Sequence, residues 1–240
     1  TLLREVRFLP QSVFSLDELR TIVPFKVGDP YPFNAAELGR ATRALRLAFL
    51  TRGYLAVGVR DSTRLAADSS TAVLVYALEP GRQFTVRAVS VSGNTRTQPY
   101  VAQRELKVKP GQVYSYQLIE QSKQNLYSTG LFRSVTIREE NPDSLASTVD
   151  LAVRLTEREN AFVESAVGFG RRDDIEAKLS ATWGHRNLWG RGQNLQASGT
   201  VAYNLELAGD HYFTEIRLRY AVPHVFGTEL RLAPDLAFTM

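Results

Sequence analysis

Cysteine is absent from the 240 residues, which excludes disulfide bonds, thiol nucleophiles and cysteine-bound metal sites. Methionine occurs once, at Met240, and the chain begins at Thr1, so the N-terminus reads as that of a fragment or a processed product and shows no signal peptide. No apolar run approaches the ~20 residues that a membrane-spanning helix requires. Contact with a bilayer interior would therefore need strands, because a closed β-barrel is the other spanning structure that satisfies every backbone amide. Basic runs with interleaved aromatics are missing as well, and the formal charge of +4 is spread along the chain, as on a solvated surface that does not bind nucleic acid. Histidine is scarce: His185, His211 and His224 fall in or beside separate predicted turns, and nothing converges them on a metal or on a hydroxyl nucleophile. Gly190-Arg191-Gly192 lacks the lysine and helix start of a phosphate-cradling loop. The pairs Asp173-Asp174 and Glu139-Glu140 read as solvated turn and strand-end charges. The expectation is a protein with no enzymatic activity, no cofactor and no metal.

What is present is a 44% hydrophobic content, enough for two or three compact domains, arranged in a repeating order. A strand over 4–9 ends at Pro10. Ser15-Leu16-Asp17-Glu18 then forms a capping box, in which serine and glutamate satisfy two orphan amides reciprocally at a helix start. A second helix is capped by Asn34 and carries Leu38, Ala41, Leu45, Ala48 and Phe49 on one stripe, with Gly53 at its end. Strands are predicted over 54–60 and 71–78, with the polar stretch 61–70 as the loop between them. The same β-α-α-β-β order returns downstream: strand 84–91, turn Ser92-Gly93-Asn94, helix 97–106, helix 116–129, and strands 132–139 and 148–156. In the last of these Val149, Leu151, Val153 and Leu155 alternate with Asp150, Ala152, Arg154 and Thr156, so one face is buried and the other wet. That strand is expected at the centre of its sheet. Two tandem modules, 1–81 and 82–158, follow from the repetition.

After Asn160 the helical period disappears. In 175–183 Ile175, Ala177, Leu179, Ala181 and Trp183 point one way while Glu176, Lys178, Ser180 and Thr182 point the other. The segments 194–203, 213–222 and 229–238 sort in the same manner. Segments of ~10 residues with one apolar and one polar face, split by turns and ending in aromatics, suit a transmembrane barrel, whose lipid-facing and lumen-facing positions alternate. Leu179, Trp183, Leu195, Val201, Leu218, Tyr220 and Leu230 are the expected lipid-facing residues. A soluble antiparallel sheet with one wet face shares this period and is the competing reading.

Two groups of residues carry a family resemblance. Val89-Ser90-Val91-Ser92-Gly93-Asn94-Thr95, Arg104-Glu105-Leu106, Lys109-Pro110-Gly111 and Gly130-Leu131-Phe132, with the strand ending at Glu157, resemble a POTRA (polypeptide-transport-associated) domain. The first module has the same order but carries Phe8-Leu9-Pro10 where the glycine-asparagine turn would stand. Gly168-Phe169-Gly170, and then Asn187-Leu188-Trp189-Gly190-Arg191-Gly192-Gln193, resemble the opening of the Omp85 superfamily barrel. The resemblance implies an α+β architecture: two tandem POTRA-like modules followed, over 159–240, by the first ~5 strands of an antiparallel transmembrane β-barrel in the bacterial outer membrane. The remaining strands would lie beyond Met240, since such barrels have at least ~8. It implies an assembly, insertion or translocation factor whose periplasmic modules meet unfolded or partly folded outer-membrane or secreted polypeptides, together with periplasmic or inner-membrane partner proteins and outer-membrane lipid. A two-partner secretion transporter and a soluble periplasmic interaction module are the alternatives.

Two sites are expected. The first barrel strand, Phe162, Val163, Glu164, Ser165, Ala166, Val167, Gly168, Phe169 and Gly170, would form a gate by pairing with the last strand of the complete barrel. An edge strand with unpaired N–H and C=O groups can accept an extended client whatever its sequence. The charged strand Phe132, Arg133, Ser134, Val135, Thr136, Ile137, Arg138 and Glu139 is the expected docking edge, with 54–60 as its counterpart in the first module.

Overall fold

The computed structural model describes residues 1–10, 13–67, 70–171, 175–204, 212–224 and 232–239. The expectations for His211, Asp173-Asp174 and Leu230 lie outside the described residues. The fold is mixed α+β, and its contacts divide it into two compact units. One comprises residues 1–90, 107–122 and 137–152; the other comprises 91–106, 123–136 and 153–240.

The first unit opens with β1 (Leu2–Leu9), α1 (Leu16–Ile22), α2 (Ala35–Thr51), β2 (Gly58–Leu65) and β3 (Thr71–Glu79). Ser15 and Glu18 close the capping box on α1, and Asn34 accepts the Ala36 N–H at the start of α2. The sheet order is β1-β3-β2, with β1 parallel and β2 antiparallel to β3. Central β3 buries Ala72, Leu74, Tyr76 and Leu78 on one face, and α1 and α2 cover that face with Leu19, Leu45 and Phe49. The strand expected over 54–60 forms further along, as β2. Tyr54 instead completes the turn after α2, its N–H bonded to Phe49 O at 3.0 Å and its ring edge-on to that of Phe49. The polar run Asp61-Ser62-Thr63-Arg64, expected as loop, pairs with β3; its side chains alternate between the two faces, Asp61 accepting from Thr42 of α2 and Thr63 meeting Tyr31. Polarity here marks an exposed edge strand.

A second core in the same unit gathers Phe84, Val86, Val108, Tyr114, Ile119, Val149 and Leu151, with Leu50 and Leu55 packed against it. Phe84 N–H donates to Gly53 O at 2.8 Å. Burial first, and then the Glu139 carboxylate that accepts its hydroxyl at 2.6 Å, push the Tyr114 phenol above its ordinary pKa. Glu139 thus accepts from a buried tyrosine while it stays exposed, as expected of a solvated charge.

The strands β4 (Thr85–Ser92), β5 (Phe132–Asp143) and β6 (Thr148–Glu157) form a three-stranded sheet in the order β4-β6-β5, with β6 central. Between β4 and β5 lie α3 (Pro99–Gln103) and α4 (Tyr116–Ser128). The helix expected over 97–106 shrinks to α3, because the N–H groups of Thr97 and Gln98 are bonded outside any helix.

The second unit holds β7 (Ala161–Arg171), β8 (Ile175–Leu188), β9 (Gln193–Asn204), β10 (Tyr212–Ala221) and β11 (Asp235–Thr239), an antiparallel sheet in the order β11-β10-β9-β8-β7. The register sorts its faces. Val163↔Trp183↔Ala197↔Leu218↔Leu236 and Val167↔Leu179↔Val201↔Thr214 lie on one face, and Glu164↔Thr182↔Ser198↔Arg217 on the other. Strand β8 continues to Leu188 and so contains His185, beside the turn that follows.

Candidate functional site

The residues that sequence reading singled out around Gly93 and around Gly190 meet where the chain leaves β6 and enters β7. Glu157, the last residue of β6, has a side chain only 6% exposed. Its carboxylate accepts the N–H groups of Thr97 at 2.7 Å and Arg96 at 3.0 Å, the Thr95 hydroxyl at 3.0 Å, and the Arg96 guanidinium at 3.4 Å. Burial acts to raise its pKa. The hydrogen bonds from Thr97, Arg96 and Thr95 outweigh that, and the carboxyl is held below its usual range. The turn can cross β6 because residue 93 is glycine: at φ +87° a Cβ would lie 2.0 Å from Leu155 O.

The turn between β8 and β9 is bonded to this loop. Asn187, 2% exposed, donates through Nδ2 to Thr97 Oγ1 at 2.9 Å and accepts the Gly192 N–H through Oδ1 at 2.8 Å. Gln98 N–H donates to Gly190 O at 2.9 Å, and a Cβ on Gly190 would stand 2.6 Å from Arg96 O. Trp189, at the tip, has φ +53° and is 70% exposed. A bulky residue in the left-handed region costs energy, and the three bonds around it hold the conformation. Nearby, Glu105 lies between Arg104 at 3.3 Å and His224 at 3.7 Å, and the Arg186 guanidinium covers the Phe162 ring at 3.9 Å. Neither Glu157 nor Asn187 was a candidate from the sequence. The local signal was Asn187-X-X-Gly190-X-Gly192, a side-chain-capped turn; the Thr97–Glu157 pairing, 60 residues apart, has no local signal.

The expected docking strand 132–139 lies in β5, an edge of its sheet. Part of that edge is occupied: Val135 N–H donates to the Tyr127 hydroxyl of α4 at 3.1 Å, and the same oxygen lies 3.5 Å from Val135 O. The expected gate strand 162–170 lies in β7, an end strand of the five-stranded sheet. Leu179, Trp183, Leu195, Val201, Leu218 and Tyr220 share one face of that sheet by register. Among the described residues no group of His, Cys, Asp and Glu is arranged to hold a metal.

Residues 84–158 match the POTRA family, described as "Surface antigen variable number repeat". The outer membrane protein assembly factor BamA of Neisseria meningitidis serogroup B is 30% identical over 152 residues, 62% of this chain and 19% of that protein. The crystal structure of Haemophilus ducreyi BamA lacking POTRA domains 1–3 superposes with a TM-score of 0.75 at 21% identity, over 100% of this chain and 42% of that one. These likenesses support an Omp85 superfamily protein. A candidate outer membrane protein assembly factor of Treponema pallidum is a further relative, 24% identical over 238 residues, 98% of this chain and 27% of that protein. The chain thus spans about a quarter or less of the length of these two curated relatives.

Proposed function

We propose that this chain is the part of an outer-membrane protein assembly factor in which two periplasmic POTRA modules run into the first five strands of a transmembrane β-barrel. The observation that supports this best is the two-faced sheet. Strands β7 to β10 are 10 to 14 residues long, about what crossing a bilayer at a tilt requires. Their apolar face is exposed, with Phe169 at 78% and Val163 at 74%, an expanse that monomeric soluble proteins rarely leave uncovered. On that face aromatics collect at both ends: Trp183 and Tyr220 near the module, Phe169, Tyr203 and Tyr212 far from it, with Val167, Leu179 and Val201 between them. That is the layout of an apolar band flanked by two girdles. The relatives named as assembly factors favour the same reading.

In this reading β7 is the gate strand and β5 a client-docking edge, of which Ile137 to Glu139 remain once Tyr127 holds the Val135 rung. The test is reconstitution of the full-length protein in liposomes with a urea-unfolded β-barrel client, scoring insertion by protease protection. Faster insertion than into empty liposomes is the expected result; equal rates would refute the proposal.

A further inference from the structure

Within the second unit, at the end of the sheet where β8 turns into β9, lies a cavity of about 360 Å³, within the size range of ligand clefts. Its lining is drawn from four places in the chain. Arg104 and Glu105 follow α3, Arg186 belongs to β8, Asn194 to β9, and His224 stands beyond the end of β10. Arg186 lies on the polar face of the sheet, since its guanidinium covers the ring of Phe162, which alternates with Val163 along β7, and approaches Glu164 at 3.9 Å.

Cations outnumber anions there. Glu105 is the one carboxylate among the described lining residues, and it is shared between Arg104 at 3.3 Å and His224 at 3.7 Å. Arg104 makes that contact through Nε, which leaves the two terminal nitrogens of its fork. Glycine at 192 keeps them uncovered, because a Cβ at that position would lie 3.6 Å from Nη2. Arg186 has only long polar contacts, 3.5 Å to Glu159 O and 3.9 Å to Glu164. With side chains 23% and 27% exposed, both arginines are partly withdrawn from water, where their attraction for an anion is screened less than at an open surface. His224 Nδ1 and Asn194 Oδ1 are buried with no hydrogen-bond partner among the described residues. Buried polar atoms are nearly always bonded, so two such atoms in one lining point to a polar occupant.

We infer that this cavity binds a phosphate ester, its phosphate held by the guanidiniums of Arg104 and Arg186 and its small polar substituent lying toward Asn194 and His224. A phosphate dianion matches two guanidinium charges, and its tetrahedral oxygens can receive forks that arrive from two different elements, whereas a carboxylate presents a single planar edge. The cavity has more room than a bare phosphate fills, and the substituent takes up the rest. Soluble phosphate esters and phospholipid headgroups share this chemistry. The inference goes beyond the assembly reading and does not depend on it, since the lining residues belong neither to the expected gate strand nor to the β5 edge.

The test uses the full-length protein in a maltoside detergent, free of phosphate, at neutral pH. It is titrated calorimetrically with glycerol phosphate, with dihexanoyl phosphatidic acid below its micellar concentration, and with glycerate, which carries a carboxylate in place of the phosphate. The better-bound phosphate should bind at least about tenfold more tightly than glycerate, and Arg104→Gln and Arg186→Gln should each weaken it by about tenfold or more, the worth of one charged hydrogen bond. Binding of glycerol phosphate alone identifies a soluble ester, of phosphatidic acid alone a lipid headgroup, and of both the phosphate itself as the group recognised. Where a variant fails to fold by circular dichroism, the native protein still decides: the bound phosphate should shield Arg104 and Arg186 from phenylglyoxal, read by mass spectrometry, and leave the exposed Arg133 reactive. No binding of either phosphate at about 10 mM, affinity no greater than that of glycerate, binding undiminished in the folded variants, or no shielding of the two arginines would overturn the inference.

Discussion

Glu157 shows how one side chain can hold a loop that no regular element supports. With its carboxylate exposed by 6%, it neutralises two main-chain donors, a hydroxyl and part of a guanidinium. Glu157→Gln removes the charge and turns an amide N–H₂ toward donors, at a cost of about 1–3 kcal/mol for buried groups left unsatisfied. Because the folded carboxyl titrates below its unfolded value, the stability it contributes is complete above the usual carboxylate range and is lost as pH falls through the folded pKa. Hydrogen-exchange protection of the Arg96 and Thr97 amides should therefore drop in Glu157→Gln at neutral pH, and the difference from the native protein should narrow on strong acidification. A pH-independent difference would show that the charge is not what matters. The sequence reading found Gly93 and Gly190 because turn chemistry is local, and missed Glu157 and Asn187 because their bonds close over 60 and 90 residues.

Among the elements, period-two alternation was the most readable signal, and β8 and β9 sort as the alternation predicts. What misled was polarity taken as loop: the residues of the edge strand β2 carry polar side chains and pair their backbones with β3 all the same. The extent of α3 was illegible, since whether Thr97 and Gln98 enter a helix is decided by Glu157 and Gly190. The alternation also makes a prediction for β8 and β10. Leu179 and Leu218 lie on the exposed apolar face, Ser180 and Ser198 on the opposite face. If the apolar face meets lipid, Leu179→Lys or Leu218→Lys should destabilise the membrane-embedded protein by about 2–4 kcal/mol, and Ser180→Lys or Ser198→Lys by much less. Urea-unfolding midpoints in lipid vesicles measure this, and equal losses on the two faces would rule out a lipid-facing role. On the polar face Arg219 pairs with Asp235 at 2.7 Å across β10 and β11, which helps fix their register.

For the whole molecule the informative strand is β7. Gly168 and Gly170 have no heavy atom within 4 Å of where a Cβ would stand, so this part of the strand offers little side-chain packing to a neighbour. If its outer edge forms the seam with the last strand of the complete barrel, cysteine pairs joining that strand to Val163 or Val167 should halt client insertion under oxidising conditions and release it under reduction. This chain has no cysteine of its own to interfere. Insertion at the native rate in fully cross-linked protein would remove the gate.

The connection into β7 is only three residues long, and it is held at both ends: Arg158 N–H is bonded to Leu131 O, and Asn160 O accepts the Arg186 N–H of β8. Glu159 between them reaches Arg96 at 3.3 Å. A second route runs in parallel, from Glu157 through Thr97 to Asn187. Two routes between the same pair of bodies form a closed truss, and a truss cannot swing at one joint without breaking a member. A free hinge needs a few torsions unopposed by bonds, and residues 158–160 do not provide them. Torque on the α3–β6 end of the second module would therefore be delivered to β8 and its turn as well as to β7, loading the first two strands together as a lever loads a bracket fixed by two bolts.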